Sequence, residues 1–176
     1  MKIALVSQEY PPETARGGIG TQTYAKAHGL AQLGHDVSVI SHSNDERRHE
    51  YQDGTVKVIR ISGFDRNVPV HTLEAWWLTY SAAVGSALVA LHQQSRLDLI
   101  DFPEYGGEGF VWLLNRPEGE RVPAVVQLHG PLAMLSETIG WPQADSELYR
   151  VGTFMEGTCL RLADAVFSSS GCSADW

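Results

Sequence analysis

The chain has 176 residues, of which 43% are hydrophobic, and a formal net charge of −8. This length and apolar content suffice for one domain with a full core. The acidic charge and the lack of clustered Lys and Arg argue against a nucleic-acid surface and against simple attachment to anionic lipid, although they leave peripheral membrane association open.

A short strand, a glycine-rich loop and a helix are predicted at the start of the chain. Residues 3–6 are a continuous apolar run, and residues 21–33 have the three- and four-residue apolar spacing of a helix. Gly17-Gly18-Ile19-Gly20 lies between them. Helix N-termini bind anions through free N–H groups, and glycine lets the backbone approach a phosphate closely. The loop therefore fits a phosphate site, and equally a tight turn that only packs the helix on the strand.

The remaining segments alternate between strand and helix patterns. Strands are predicted at 36–41, 55–61, 97–102, 123–129 and 165–168, and helices at 70–94, 110–115 and 146–162. The polar segment 44–54 is predicted to be a surface loop, and a mixed loop is expected after Gly130-Pro131. Six strands separated by helices predict an α/β fold with a doubly wound, Rossmann-like parallel sheet, and the strand at 55–61 is expected near its edge.

Segment 75–91 contains no charged residue, which raises the question of a transmembrane helix. Its hydroxyl groups, its glycine and its length, which is short of about 20 apolar residues, favour a buried helix instead. No secretory signal is visible, and Cys159 and Cys172 lack metal-like or disulfide-like spacing. A cytoplasmic protein with reduced thiols and no integral membrane segment is therefore expected.

Ligands of a doubly wound sheet bind at the carboxyl ends of its strands. His129 ends an apolar strand there, where it can donate a hydrogen bond or carry a proton near neutral pH; a buried histidine that caps the sheet is equally consistent. Glu104 and Tyr105 follow another strand and could bind a hydroxylated acceptor, with an ordinary exposed loop as the alternative. Glu156 is interpreted as either solvent-facing or part of the crevice.

The glycine loop does not match a dinucleotide or P-loop signature. Gln22 and Thr23 stand where Gly-x-Gly-x-x-Gly requires its third glycine, no acid ends the second strand, and no Lys-Ser/Thr follows the glycines. A nicotinamide oxidoreductase is therefore disfavoured. Four histidines recur every seven residues, but they fall on different predicted elements, so no metal site is predicted: His28, His35, His42 and His49.

Six short motifs occur in order from residue 2 to about residue 170. They are Glu9-Tyr10-Pro11-Pro12, Gly17-Gly18-Ile19-Gly20, Gly34-His35-Asp36-Val37, Asp98-Leu99-Ile100-Asp101, Gln127-Leu128-His129-Gly130 and Ala163-Asp164-Ala165-Val166-Phe167-Ser168-Ser169-Ser170. Together they resemble the N-terminal domain of glycosyltransferase family 4, the retaining nucleotide-sugar transferases of GT-B fold.

This resemblance implies that residues 1–176 are the acceptor-side lobe, and that a second Rossmann-like domain, not contained in this chain, holds most of the nucleotide. It also implies a donor diphosphate against Gly17 and Gly18, His129 near the transferred sugar, and no metal or other cofactor. The expected partners are a nucleotide-diphosphate sugar and a sugar or other hydroxylated acceptor, and the isolated chain is expected to be inactive. The alternative is a stand-alone binding or regulatory module for a phosphorylated ligand, without catalysis.

Overall fold

The structure, a computed structural model, describes residues 1–14, 17–65, 68, 72, 75–116, 119 and 121–171. Strands and helices alternate along these residues, in the order β1 (Lys2–Val6), α1 (Gly18–Gln32), β2 (Asp36–His42), β3 (His49–Asp53), β4 (Val56–Ile61), α2 (Trp76–Gln94), β5 (Leu99–Pro103), α3 (Phe110–Leu114), β6 (Ala124–Leu128), α4 (Leu132–Ile139), α5 (Glu147–Leu162) and β7 (Ala165–Ser168). A single 3-10 turn, Tyr105–Gly107, follows β5.

The strands form one sheet in the order β3-β4-β2-β1-β5-β6-β7. Every neighbouring pair is parallel except β3 and β4, which are antiparallel. The predicted doubly wound α/β fold is therefore confirmed, and the apolar runs of β1, β5 and β6 occupy the sheet interior. Parallel strands buried on both faces need such continuous apolar sequences.

Two predicted loops are wrong, because each contains a regular element. The segment 44–54 includes β3, which pairs with β4 as the outermost strand, so β4 is second from the edge. Polar and charged side chains suit an exposed edge strand, which explains why β3 lacks an apolar pattern. Residues 132–139 form α4, in which Leu132 is fully buried.

The predicted helices at 110–115 and 146–162 correspond to α3 and α5. Ser146 caps α5, and its hydroxyl accepts a hydrogen bond from the Tyr149 N–H at 3.1 Å. The long apolar helix begins at Trp76 within the described residues, while its predicted start at 70 and Cys172 lie outside them. Cys159 is a buried free thiol. No described helix is long and apolar enough to cross a membrane.

Helices cover both faces of the sheet, as predicted. Helix α1 packs through Ala27 onto the face that carries Leu5, Val39 and Val58. Helices α2, α3 and α5 cover the opposite face, where the core includes Ala4, Ile40, Ile100, Val126, Leu88, Leu113 and Cys159. The carboxyl ends of the strands remain uncovered by either helix layer, and the candidate site lies there.

Arg60 on β4 is fully buried and organises the loop that follows β1. Its guanidinium donates hydrogen bonds to the Tyr10 carbonyl at 2.8 Å, to Thr14 Oγ1 at 2.9 Å and to Ser41 Oγ at 3.0 Å. It also donates to the Tyr51 hydroxyl at 3.0 Å. A buried charge needs such partners, and the planar guanidinium can bridge several acceptors at once. Its Nε makes no hydrogen bond within the described residues but lies 3.3 Å from a carboxylate oxygen of Glu13. Arg60 thereby fixes the residue 10–14 loop beside the ends of β1 and β2.

We expect Arg60→Met to lower the free energy of unfolding by about 3 kcal/mol, because carbonyl and hydroxyl acceptors in the interior lose their donor. Urea denaturation of the protein measures this loss. The matched control is Arg48→Met, since Arg48 is about half exposed and forms a surface ion pair with Glu50. It should change stability by no more than about 0.5 kcal/mol. Equal effects of the two substitutions would contradict the structural role assigned to Arg60.

Candidate functional site

Two adjoining cavities lie at the carboxyl ends of the strands. The first, which we call the His129 cavity, has a volume of about 380 Å³, and its lining includes Gly18, Gln22, Tyr105, His129 and Gly130. The second, the Trp141 cavity, has a volume of about 460 Å³, and its lining includes Gln8, Glu9, Asn44, Trp77, Tyr105 and Trp141. Three predicted site residues, Gly18, Tyr105 and His129, therefore meet in one cavity. Tyr105 lines both cavities and separates them.

The glycine loop packs on Glu9 and also leaves an open helix terminus. A Cβ at Gly20 would lie 2.9 Å from Glu9 Cβ, and one at Gly17 would lie 3.2 Å from Glu9 Oε2, so both glycines allow close packing. A Cβ at Gly18 would meet no atom within 4 Å. Helix α1 begins at Gly18 without a side-chain cap, which leaves N–H groups of its first turn available to an anion.

His129 lies at the end of β6, and its ring is held neutral by its surroundings. Burial lowers the pKa of His129 to about 4, and the positive charge of Lys26 acts in the same direction. Near pH 7 the imidazole can therefore exchange hydrogen bonds with a ligand but adds no positive charge.

Glu104 is fully buried beneath the His129 loop, and neither cavity is lined by it. Both of its carboxylate oxygens accept hydrogen bonds from the His129 N–H at 2.8 Å, and Oε1 also accepts one from the Gly130 N–H. Burial raises the pKa of Glu104, and these N–H donors oppose the shift. The acceptor contact expected of Glu104 stays a prediction, while its observed contacts are those of a residue that positions His129.

Glu156 on α5 joins the turn at Tyr105 to helix α4. Its Oε1 accepts a hydrogen bond from the Gly106 N–H at 3.0 Å, and its Oε2 accepts one from the Leu132 N–H at 2.9 Å. Gly106 and Gly107 both have a positive φ, near +67° and +68°. A Cβ on Gly107 would lie 2.5 Å from a side-chain carbon of α5, so only glycine lets this turn rest on the helix. Glu156 is therefore not solvent-facing: it is buried, and it lines neither cavity but supports the turn that carries Tyr105.

Glu108 adds a further buried carboxylate below the crevice. It accepts a hydrogen bond from the Gln8 N–H at 3.1 Å, and its Oε2 has no partner within the described residues. Burial raises the pKa of Glu108 to about 8, and the charges of Glu9 and Glu104 add to the shift. Burial also raises the pKa of Glu156 to about 8.

In the part of the chain that the structure describes, no group of three His, Cys, Asp or Glu side chains could hold a metal ion. Independence of metal remains a prediction.

Lys26 connects α1 to the strands that end at the crevice. Its ammonium group forms an ion pair with Asp101 of β5 at 2.9 Å and a short hydrogen bond with Gln127 of β6. The same group lies 5.1 Å from the centre of the Phe167 ring on β7. These contacts fix the position of the α1 N-terminus relative to His129.

Comparison with known proteins identifies the class of this domain. The chain belongs to the glycosyl transferase 4-like domain family, since the family model matches residues 17–176. A glycogen synthase of Mycobacterium tuberculosis is 29% identical over 92 residues, which cover 51% of this chain and 22% of that protein. The matched segment thus spans less than a quarter of the length of the curated relative.

Solved structures show the same fold. The sucrose-phosphate synthase of Thermosynechococcus elongatus superposes with a TM-score of 0.70 at 18% identity, over 94% of this chain and 41% of that one. UGT2 of Phytolacca americana, in complex with UDP-2-fluoro-glucose and pterostilbene, gives a TM-score of 0.59 at 13% identity, over 96% of this chain and 48% of that one. The domain is accordingly a Rossmann-like lobe of the GT-B glycosyltransferase fold, as the sequence motifs predicted.

Glu104→Ala should lower the free energy of unfolding by about 2 kcal/mol, because the buried N–H groups of His129 and Gly130 lose their acceptor. Chemical denaturation measures the loss, and backbone amide shifts of residues 129 and 130 report the local change. Glu137→Ala on the exposed side of α4 is the control and should alter neither. Unchanged amide shifts in the Glu104 variant would contradict the positioning role.

The His129 ring should remain neutral from pH 8 down to pH 5 and gain a proton only near pH 4, as followed by NMR titration of its ring protons. The unfolded chain takes up this proton at the ordinary pKa of 6.5. The contribution of His129 should therefore lower the free energy of unfolding as pH falls from about 6.5 to about 4. Lys26→Met should raise the His129 pKa only in part, since burial is the larger cause. A His129 that titrates near 6.5 would show that the ring is solvated.

Proposed function

We propose that this domain is the acceptor-side lobe of a retaining glycosyltransferase, which transfers a sugar from a nucleotide-sugar donor to a hydroxylated acceptor. One observation carries the proposal: the uncapped N-terminus of α1 at Gly18 and the neutral His129 line the same cavity. That arrangement offers N–H donors to a diphosphate beside a ring that can bond a sugar hydroxyl.

On the donor side, the leaving nucleoside diphosphate gains negative charge as the bond to the sugar breaks. Backbone N–H groups at the start of α1 would stabilise this charge in the transition state, as oxyanion-hole donors do. The neutral His129 would form a hydrogen bond with a hydroxyl group of the transferred sugar. Its low pKa makes it too weak a base to take a proton from the acceptor. The reaction as proposed uses no metal ion or other cofactor.

On the acceptor side, the Trp141 cavity adjoins the His129 cavity across Tyr105. A bound acceptor would thus lie next to the donor sugar, and such proximity lowers the entropic part of the barrier. The opposite wall of the donor site would come from a second domain of the full-length protein. The length of the relatives supports this, since the chain covers 41% of the sucrose-phosphate synthase chain.

Gly18→Ala tests the diphosphate site with a closely matched control. A Cβ at Gly18 faces open space in the His129 cavity, and a Cβ at Gly29 on the same helix also meets no atom within 4 Å. In the full-length protein, Gly18→Ala should raise the KM for the nucleotide-sugar by roughly tenfold, because the methyl group occupies space needed by the diphosphate. Gly29→Ala should leave it unchanged. Steady-state transfer assays with a panel of UDP-, GDP- and ADP-sugars provide the measurement.

The outcomes separate the possible readings of the site. Transfer with equal KM values in the two glycine variants would refute the diphosphate contact at Gly18. Binding of nucleotide-sugars by the full-length protein without transfer or hydrolysis would instead favour the stand-alone binding module.

A further inference from the structure

The lining of the Trp141 cavity combines aromatic and polar side chains, which suits a sugar. Trp141 is 43% exposed, an unusual exposure for the largest apolar side chain, and it lines the cavity together with Trp77 and Tyr105. The rings of Trp77 and Tyr105 pack edge to face, with centroids 5.9 Å apart. The C–H faces of a sugar ring are apolar and pack on such rings, while its hydroxyl groups need separate polar partners.

Glu9 offers acceptors for those hydroxyl groups. It lines the cavity, and its buried Oε2 has no hydrogen-bond donor in the described part of the chain. An ionised carboxylate accepts several hydrogen bonds, and a poorly solvated one without a donor is costly. The amide side chains of Gln8 and Asn44 add further polar groups to the same lining.

The charge around the cavity disfavours an anionic ligand. No Lys or Arg is present among the described residues that line it, and His42 is paired with Glu46 at 2.9 Å. Arg60, behind the same loop, is fully buried and paired with Glu13 at 3.3 Å.

Tyr105 adds no cation to the cavity wall. Burial raises the pKa of its hydroxyl to about 12, and the charges of Glu156, Glu9 and Glu104 act in the same direction. The Tyr105 hydroxyl in the wall shared by the two cavities is therefore uncharged near pH 7 and offers no positive charge to a phosphate ester.

We propose that the Trp141 cavity binds the acceptor as an uncharged sugar, with its ring against Trp141 and its hydroxyl groups donating to Glu9, and that it rejects phosphorylated sugars. This inference rests on the proposed transferase function and specifies its acceptor class.

The first test compares acceptors in the full-length protein with the donor found in the nucleotide-sugar panel. Glucose, fructose and maltose are each offered, along with glucose 6-phosphate and fructose 6-phosphate. The better of glucose and fructose should exceed its own 6-phosphate in kcat/KM by tenfold or more, which corresponds to about 1.4 kcal/mol. A phosphate ester that serves equally well or better overturns the inference, while the transferase function stands. Failure of transfer with every donor and acceptor contradicts the transferase function itself.

The second test uses variants of the cavity. Glu9→Gln should raise the acceptor KM several-fold with little change in kcat and should reduce the preference over the phosphate ester. Trp141→Ala should raise the acceptor KM about tenfold, and Trp141→Phe should restore most of the affinity because it keeps an aromatic face. The controls are Glu137→Gln and Phe154→Ala, which change exposed residues that line neither cavity. Unchanged acceptor KM values in both cavity variants overturn the inference.

A binding measurement keeps the test independent of turnover. Maltose and glucose 6-phosphate are titrated against the full-length protein, with tryptophan fluorescence as the signal. Maltose should quench the wild type and quench Trp141→Phe less, whereas glucose 6-phosphate should change neither. Quenching by glucose 6-phosphate at lower concentrations than maltose counts against the proposal.

Discussion

Buried glutamate carboxylates that accept backbone N–H groups fix the walls of the crevice. The loops after β5 and β6 leave the sheet, so their N–H groups lose the ladder partners that the strands provide. Glu104 satisfies the N–H groups of His129 and Gly130, and Glu156 satisfies those of Gly106 and Leu132. An unsatisfied buried N–H costs about 1–3 kcal/mol, so these carboxylates strongly select one arrangement of the loops. The positions of His129, of Tyr105 and of the start of α4 all follow from this selection.

The same carboxylates carry a cost that depends on pH. Burial raises the pKa of Glu108 and of Glu156 from 4.5 to about 8. Between pH 4.5 and about 8 the folded chain keeps protons that the unfolded chain has released. Each group therefore lowers the free energy of unfolding as pH rises through this range. Below about pH 8 both groups are mostly protonated, and a buried polar group whose hydrogen bonds are incomplete stabilises a fold less than an apolar residue of similar size does. Positions that violate this rule are expected at functional sites, where geometry outweighs stability.

The sequence was sufficient for the parts of the fold that depend on local pattern. Continuous apolar runs predicted β1, β5 and β6, and the strand ends predicted the meeting of Gly18, Tyr105 and His129. Edge strand β3 escaped detection because exposure on both faces leaves no periodicity. The local sequence around Glu104 could not predict its burial, because the N–H groups that it binds belong to residues about 25 positions further along the chain. Glu156 did give a signal: Gly152, Met155 and Cys159 share its helical face, and all are buried.

Tyr105 connects the two halves of the proposed chemistry. It lines both cavities, and its turn is fixed from below by Glu156 through the Gly106 N–H. The donor side therefore depends on backbone held by buried groups, which permits little variation. The lining of the Trp141 cavity includes two loop side chains, Asn44 and Trp141, that take no part in those buried contacts. In the proposed transferase, substitutions in these loops would change the acceptor while the donor side keeps its buried contacts.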